Sequence, residues 1–152
     1  MPMPATYRHA SREFSAYLED AKDRMSLISD NSAYTATDAV FQVFRKRLTV
    51  DQGLVFADQL PCVLRAIFVT GWHPQDPPLP FADRETLTRE VQEVRKDHNL
   101  TPDNAISAVA WAVRRCVRHV DFDRVLHDIS PDAVAYWHAT EDYPGQLSQR
   151  IV

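Results

Sequence analysis

Apolar residues recur at helical spacing along most of the chain, and charged residues fill the faces between them. Phe14, Tyr17, Leu18, Ala21 and Met25 form one stripe, opposed by Glu19, Asp20, Lys22, Asp23 and Arg24. This is the 3.6-residue pattern of an amphipathic helix. A loop at Ser29-Asp30-Asn31-Ser32 precedes a second stripe of Ala36, Val40, Val43, Phe44 and Leu48. Thr49 with Gln52 three residues later fits a capping box, in which hydroxyl and amide satisfy each other's free backbone N–H. It predicts a short helix presenting Leu54, Val55 and Ala57. Pro61 suits the first turn of a further helix, which buries Val63, Leu64, Ile67 and Phe68 and stops near Gly71. Asp83 then caps a helix with Leu87, Val91 and Val94. Thr101-Pro102 reads as a cap and first-turn proline ahead of Ile106, Val109, Ala110, Val113 and Val117. Asp121 reads as the cap of a helix with Phe122, Val125 and Leu126. Ser130-Pro131 repeats the cap-and-proline device before Val134, Tyr136 and Trp137. The tail from Glu141 reads as irregular or frayed. No segment alternates with a two-residue period between turn pairs, so the predicted fold class is all-α.

Residues 14–72 and 87–137 read as two copies of one helical unit. Phe14, Leu18, Ala21 and Leu27 match Leu87, Val91, Val94 and Leu100. Val40, Phe44 and Leu48 match Val109, Val113 and Val117, and Gln59-Leu60-Pro61 matches Ile129-Ser130-Pro131. A tandem duplication of a four-helix unit predicts a pseudo-symmetric bundle of about eight helices, each half packing its apolar face on its copy. The expected layout is one domain of two repeats, about 10–72 and 83–140. A Pro-rich linker over 72–83 joins them, with Pro74, Pro77, Pro78 and Pro80 extending its backbone.

Composition narrows the function classes. The chain has 152 residues, a length that supports a real hydrophobic core in one domain. Its three glycines exclude glycine-rich phosphate loops, and its net charge of −4 argues against wholesale nucleic-acid or anionic-membrane binding. No apolar run is long enough to span a bilayer, and Met1-Pro2-Met3-Pro4 leads into no signal-peptide core, so the expected location is the cytoplasm. Cys62 and Cys116 stand far apart and outside any Cys-x-x-Cys pair, so they read as small buried hydrophobes.

Gln59-Leu60-Pro61, Leu64-Arg65 and Gly71-Trp72-His73-Pro74, in that order and spacing, resemble the signature of domain-of-unknown-function family 2267. The resemblance runs from Phe14 to Trp137. Ala66 stands where the family has glycine, and His73 where it has aspartate. The resemblance implies an all-helical, two-repeat bacterial protein and brings no activity or cofactor with it.

Four groups of residues are candidates for chemistry or binding. His119, Asp123 and His127 would share one face of a continuous helix, and these residue types ligate zinc or iron. The simpler reading is capping carboxylates and surface histidines, with no metal or cofactor. Arg45 and Lys46 match Arg114 and Arg115, so two basic helix ends could straddle a phosphate backbone. The same cations would also offset helix dipoles. No nucleophile, base and orienting group are assembled by sequence, and the Gly-x-Ser-x-Gly elbow is absent, which argues against an enzyme. Phe41, Phe56 and Trp111 lie off the main apolar stripes, the pattern of a groove or dimer patch. The leading expectation is therefore a non-enzymatic module that binds another protein or itself through Phe41, Arg65, Trp72 and Trp111. Nucleic-acid binding through the paired basic ends, or a small-molecule pocket between the repeats, are the alternatives.

Overall fold

Nine α-helices and no strand make up the regular structure among the described residues, 1–97, 100–142 and 144–152 of the computed structural model. They are α1 (Ala5–Arg8), α2 (Ala10–Met25), α3 (Asp30–Arg45), α4 (Val50–Ala57), α5 (Cys62–Val69), α6 (Arg84–Val94), α7 (Ala105–Arg114), α8 (His119–Ile129) and α9 (Pro131–Tyr136). The chain is all-α. The short α1 is the helix the hydrophobic pattern does not predict.

Local chemistry sets most helix ends. Helix α2 stops where Ser26 turns left-handed at φ 55°, a conformation in which its N–H reaches the carbonyls of Lys22 and Asp23. Ser29 caps α3 by accepting from Ser32 N–H at 3.1 Å, so the predicted loop is really the cap and first turn of that helix. The Thr49–Gln52 capping box opens α4. Asp83 accepts from Thr86 N–H at 2.7 Å to open α6, and Ser130 with Pro131 opens α9. Two expected starts are displaced. Thr101-Pro102 precedes the helix, and α7 begins at Ala105 after Asn104, whose side chain makes no capping bond. Helix α8 begins at His119, which puts Asp121 inside its first turn, where it pairs with Arg118 and Arg124. Pro61 is the residue before α5 rather than its first.

Helices α3 and α7 form the centre. Helix α3 packs on α2, α5, α6 and α7, and α7 packs on α2, α3, α6 and α9. Burial follows from that position. Nine of the ten residues of α7 are buried, so it has no polar face at all. Trp137 is fully buried and meets Phe41, Phe44, Phe56 and Phe122 at ring separations of 5.9, 5.4, 5.3 and 6.0 Å. Tyr136 donates its hydroxyl to the Val40 carbonyl at 2.7 Å, tying α9 to α3.

The connecting segments are docked. Leu79 N–H donates to the Lys46 carbonyl, and Arg47 bonds the Pro80 carbonyl, holding the 72–83 segment against the end of α3. Arg47 also forms a bidentate pair with Glu90 of α6 at 2.7 and 2.8 Å. The tail is irregular, as expected, and it is anchored rather than frayed. Leu147 is buried, and Arg150 reaches both the Arg115 carbonyl and the Asp20 carboxylate. No helix among the described residues is long and apolar enough to cross a membrane.

Candidate functional site

The two basic helix ends do not form a patch. Arg45 is 7% exposed and donates to the Phe68 and Thr70 carbonyls at 2.8 and 2.9 Å, closing the C-terminus of α5. Burial lowers its pKa from the ordinary arginine value. Arg114, also buried, donates to the Trp137 carbonyl at the end of α9 and to Asp123. Arg115 pairs with Asp20 at 3.0 Å. Of the four, Lys46 alone is classed as exposed. The four therefore offer no paired basic patch to a phosphate backbone, because Arg45 and Arg114 are turned inward onto helix-end carbonyls and Arg115 is held by Asp20.

The aromatic candidates are also inside. Phe41 is fully buried and Trp111 is 5% exposed, so neither presents a dimer patch. Both stand on the two central helices, where every side of the helix meets another element. Arg65 spans the turn between α4 and α5, donating to the Ala57 and Leu60 carbonyls at 3.1 and 3.2 Å. Trp72 is part-exposed and lies across Gly53 of α4. A Cβ at Gly53 would stand 2.1 Å from the end of its indole ring.

The metal candidates share helix α8, which is continuous across them, but His119 and Asp123 have other partners. His119 Nε2 is 2.6 Å from the Arg114 carbonyl, and Asp123 accepts from Arg114 at 2.9 Å. Among the described residues no three His, Cys, Asp or Glu side chains are placed to hold a metal ion. The two thiols donate to backbone carbonyls, Cys62 to Thr6 and Cys116 to Val113. Burial pushes the Cys116 thiol up, with Asp20 adding to the shift, so its thiolate is strongly disfavoured.

Two clefts and one surface remain. The first cleft, about 360 Å³, lies between α1, α2, the α4–α5 turn and the tail. Its charged groups are mutually engaged. Asp20 holds Arg115 and Arg150, and Arg65 serves the turn. It works as the joint that fixes the tail to the body. The second cleft, also about 360 Å³, is lined by residues of α2, α6 and α7 and by residues 138–140. The surface is the outer side of α4. Val50, Leu54 and Val55 are each about half exposed at 48, 53 and 49%, and Val69 at the end of α5 is 39% exposed. Helix α4 buries Gly53, Phe56 and Ala57 on its other side. It is thus apolar on both sides, a signal carried in the sequence as more apolar positions than one stripe needs. Asp51 and Asp58 flank the exposed side, and α4 carries no basic residue.

The chain belongs to the family of uncharacterised conserved proteins DUF2267, whose family model matches residues 14–136. That span takes in α3 to α9 and α2 from Phe14 onward. No curated protein matches the chain.

Proposed function

We propose that this member of an uncharacterised family is a non-enzymatic protein-interaction module and that it docks a partner through α4. The carrying observation is the row of half-exposed Val50, Leu54 and Val55 on a helix whose opposite side is already core. A helix apolar all round belongs in an interior, and here one side of it faces outward. Val50 and Leu54 stand one turn apart, so they present an i, i+4 pair to an incoming helix. Val55 lies beside them, between Asp51 and Asp58 on the neighbouring row. The chemistry that fits is an amphipathic helix with an apolar stripe and basic flanks. Four apolar side chains are far fewer than the roughly 20–30 residues a side of a standard interface. A transient partner is therefore favoured over a permanent homodimer.

A photo-crosslinking residue at Leu54 tests this in cells, with the same residue at the well-exposed Glu85 as control. The expected result is a discrete crosslinked partner from position 54 that is lost when Val50→Asp is added. Equal crosslinking from both positions would refute the docking face. A crosslink to a second copy would replace the partner helix with self-association.

A further inference from the structure

The second cleft is built to receive an oxyanion. Arg24 reaches it from α2, Arg84 and Thr88 from α6, Ser107 and Trp111 from α7, and Thr140 from the segment after α9. Two guanidinium groups and three hydroxyls thus converge on about 360 Å³. Their inventory is almost wholly donors. Each arginine offers five N–H groups in a fork that matches the oxygens of a phosphate or carboxylate.

Most of the guanidinium N–H groups are uncommitted, whereas the Thr88 and Ser107 hydroxyls donate to the Arg84 and Asn104 carbonyls at 2.8 and 3.1 Å. Arg84 uses one nitrogen on the Ala135 carbonyl at 2.8 Å. Arg24 lies 4.6 Å from the Trp111 ring centroid, which fixes its plane, and gives one nitrogen to Asp142 at 3.0 Å. Arg115 lies 5.1 Å from the same ring centroid, so Trp111 is bracketed by two guanidinium groups, each also paired with a carboxylate, Arg24 with Asp142 and Arg115 with Asp20. The Trp111 indole N–H is buried with no hydrogen-bond partner among the described residues. A buried donor left bare is costly, and the Trp111 side chain that carries it lines this cleft. Trp137 carries the other bare indole N–H, but inside the aromatic core and away from the cleft.

Ile106 and Ser107 belong to the first turn of α7 and line the same cavity. This ten-residue helix lacks a side-chain cap at Asn104, so its first-turn N–H groups lack the carboxylate or hydroxyl that Asp83 and Ser130 supply elsewhere. A helix N-terminus in that state favours an anion.

We propose that this cleft binds a small molecule through a phosphate group, held by Arg24 and Arg84 at the N-terminus of α7. The cavity exceeds a bare phosphate and leaves room for a compact organic portion. Stacking of a ring on Trp111 is not part of the mode, because arginines sit against that ring. Two acids face the site. Asp103 lines it and is engaged by the Gln92 amide at 2.7 Å. Asp142, 63% exposed, occupies Arg24 in the empty cleft and stands where a ligand oxygen would compete. Exposed ion pairs of that kind are weak, so a dianion can displace it. This site shares no residue with the α4 face, and its failure would leave that reading intact.

Inorganic phosphate titrated into the full chain, followed by calorimetry and tryptophan fluorescence, tests the proposal. Saturable binding is expected. Arg84→Gln should weaken it about tenfold, the loss of one charge-assisted contact. Asp142→Asn should tighten it several-fold by freeing Arg24. Arg24→Gln, at a partly exposed ion pair, provides a second weakening variant. Sulfate should compete with phosphate, and acetate should compete weakly. No saturable phosphate binding, or binding that Arg84→Gln and Asp142→Asn both leave unchanged in folded protein, overturns the proposal. Acetate binding as tightly as phosphate would overturn the phosphate assignment.

Discussion

Gly53→Ala is predicted to destabilise the protein, against the usual sign for an interior helix glycine. Alanine at such a position normally gains about 1 kcal/mol from helix propensity. Here the new Cβ would meet Trp72 Cη2 at 2.1 Å and Cζ3 at 2.5 Å, so the indole must leave. Leaving costs its contact with Phe68, 5.8 Å between ring centroids, and its burial against α4. Overpacking of this type costs about 1–3 kcal/mol. The net loss is then up to about 2 kcal/mol, or a drop of up to roughly 8 °C in melting temperature for a chain of this size. In a Trp72→Ala background the obstacle is gone, and Gly53→Ala should instead stabilise by up to about 1 kcal/mol. The coupling energy of the cycle is therefore about 1–3 kcal/mol. Urea unfolding followed by far-UV circular dichroism reads all four proteins without relying on the deleted indole. If Gly53→Ala is stabilising in both backgrounds, Trp72 does not rest on α4 and the border of the docking face is misplaced.

Other outcomes follow from named contacts. Phe44→Ala should lose about 3–5 kcal/mol in denaturant unfolding, since Phe44 is fully buried against Phe56, Tyr136 and Trp137. Ser26→Gly should stabilise by about 0.5–1 kcal/mol, because a left-handed residue at φ 55° suits glycine, with a lower unfolding midpoint as the refuting result. Arg47 holds the Glu90 carboxyl below its ordinary value, so the pair stabilises the fold above about pH 4.5 and that share is lost as pH falls through the depressed value. Glu90→Gln should therefore be less stable than the parent at pH 7, by roughly 1–3 kcal/mol after discounting for partial exposure, and the gap should close below pH 4. A gap that is constant with pH would mean the carboxylate charge is irrelevant. Duplex DNA should not bind at physiological ionic strength, and steeply salt-dependent binding that survives Lys46→Glu but is lost when Arg45, Arg114 and Arg115 are changed as well would contradict the inward placement of those arginines.

The helices were legible because their signals are local. Stripes at 17, 18, 21 and 25, the Thr49–Gln52 box, Asp83 and Ser130-Pro131 each act within a few residues. The site was less legible, because burial of a given face depends on how many neighbours a helix has. A helical stripe assumes one buried side, and α3 and α7 have several. Phe41 and Trp111 therefore looked like surplus surface and are core. The reverse error touches Leu100, matched to a core position by pattern yet 91% exposed. Arginines misled for a related reason. Arg45 and Arg114 read as surface cations, and the carbonyls they satisfy belong to helix ends 23 residues away. Nothing near them in sequence announces those acceptors.

Those two arginines play the same part at two places. Arg45 ends α3 and reaches the Phe68 carbonyl near the end of α5. Arg114 ends α7 and reaches the Trp137 carbonyl just past α9. Helices α2 and α6 each pack on both α3 and α7. Donor and acceptor are 23 residues apart in both cases. A guanidinium closing a helix end does what a glycine cap does elsewhere, in a chain with only three glycines. Two such clamps explain why the chain keeps cations at the ends of its central helices without offering them to a polyanion. Helix α4 exposes Val50, Leu54 and Val55 side by side, whereas α8 exposes a lone Val120 beside Asp123, Arg124 and His127. The apolar row proposed for docking thus belongs to α4 and is not repeated on α8, which favours an asymmetric partner over a symmetric one.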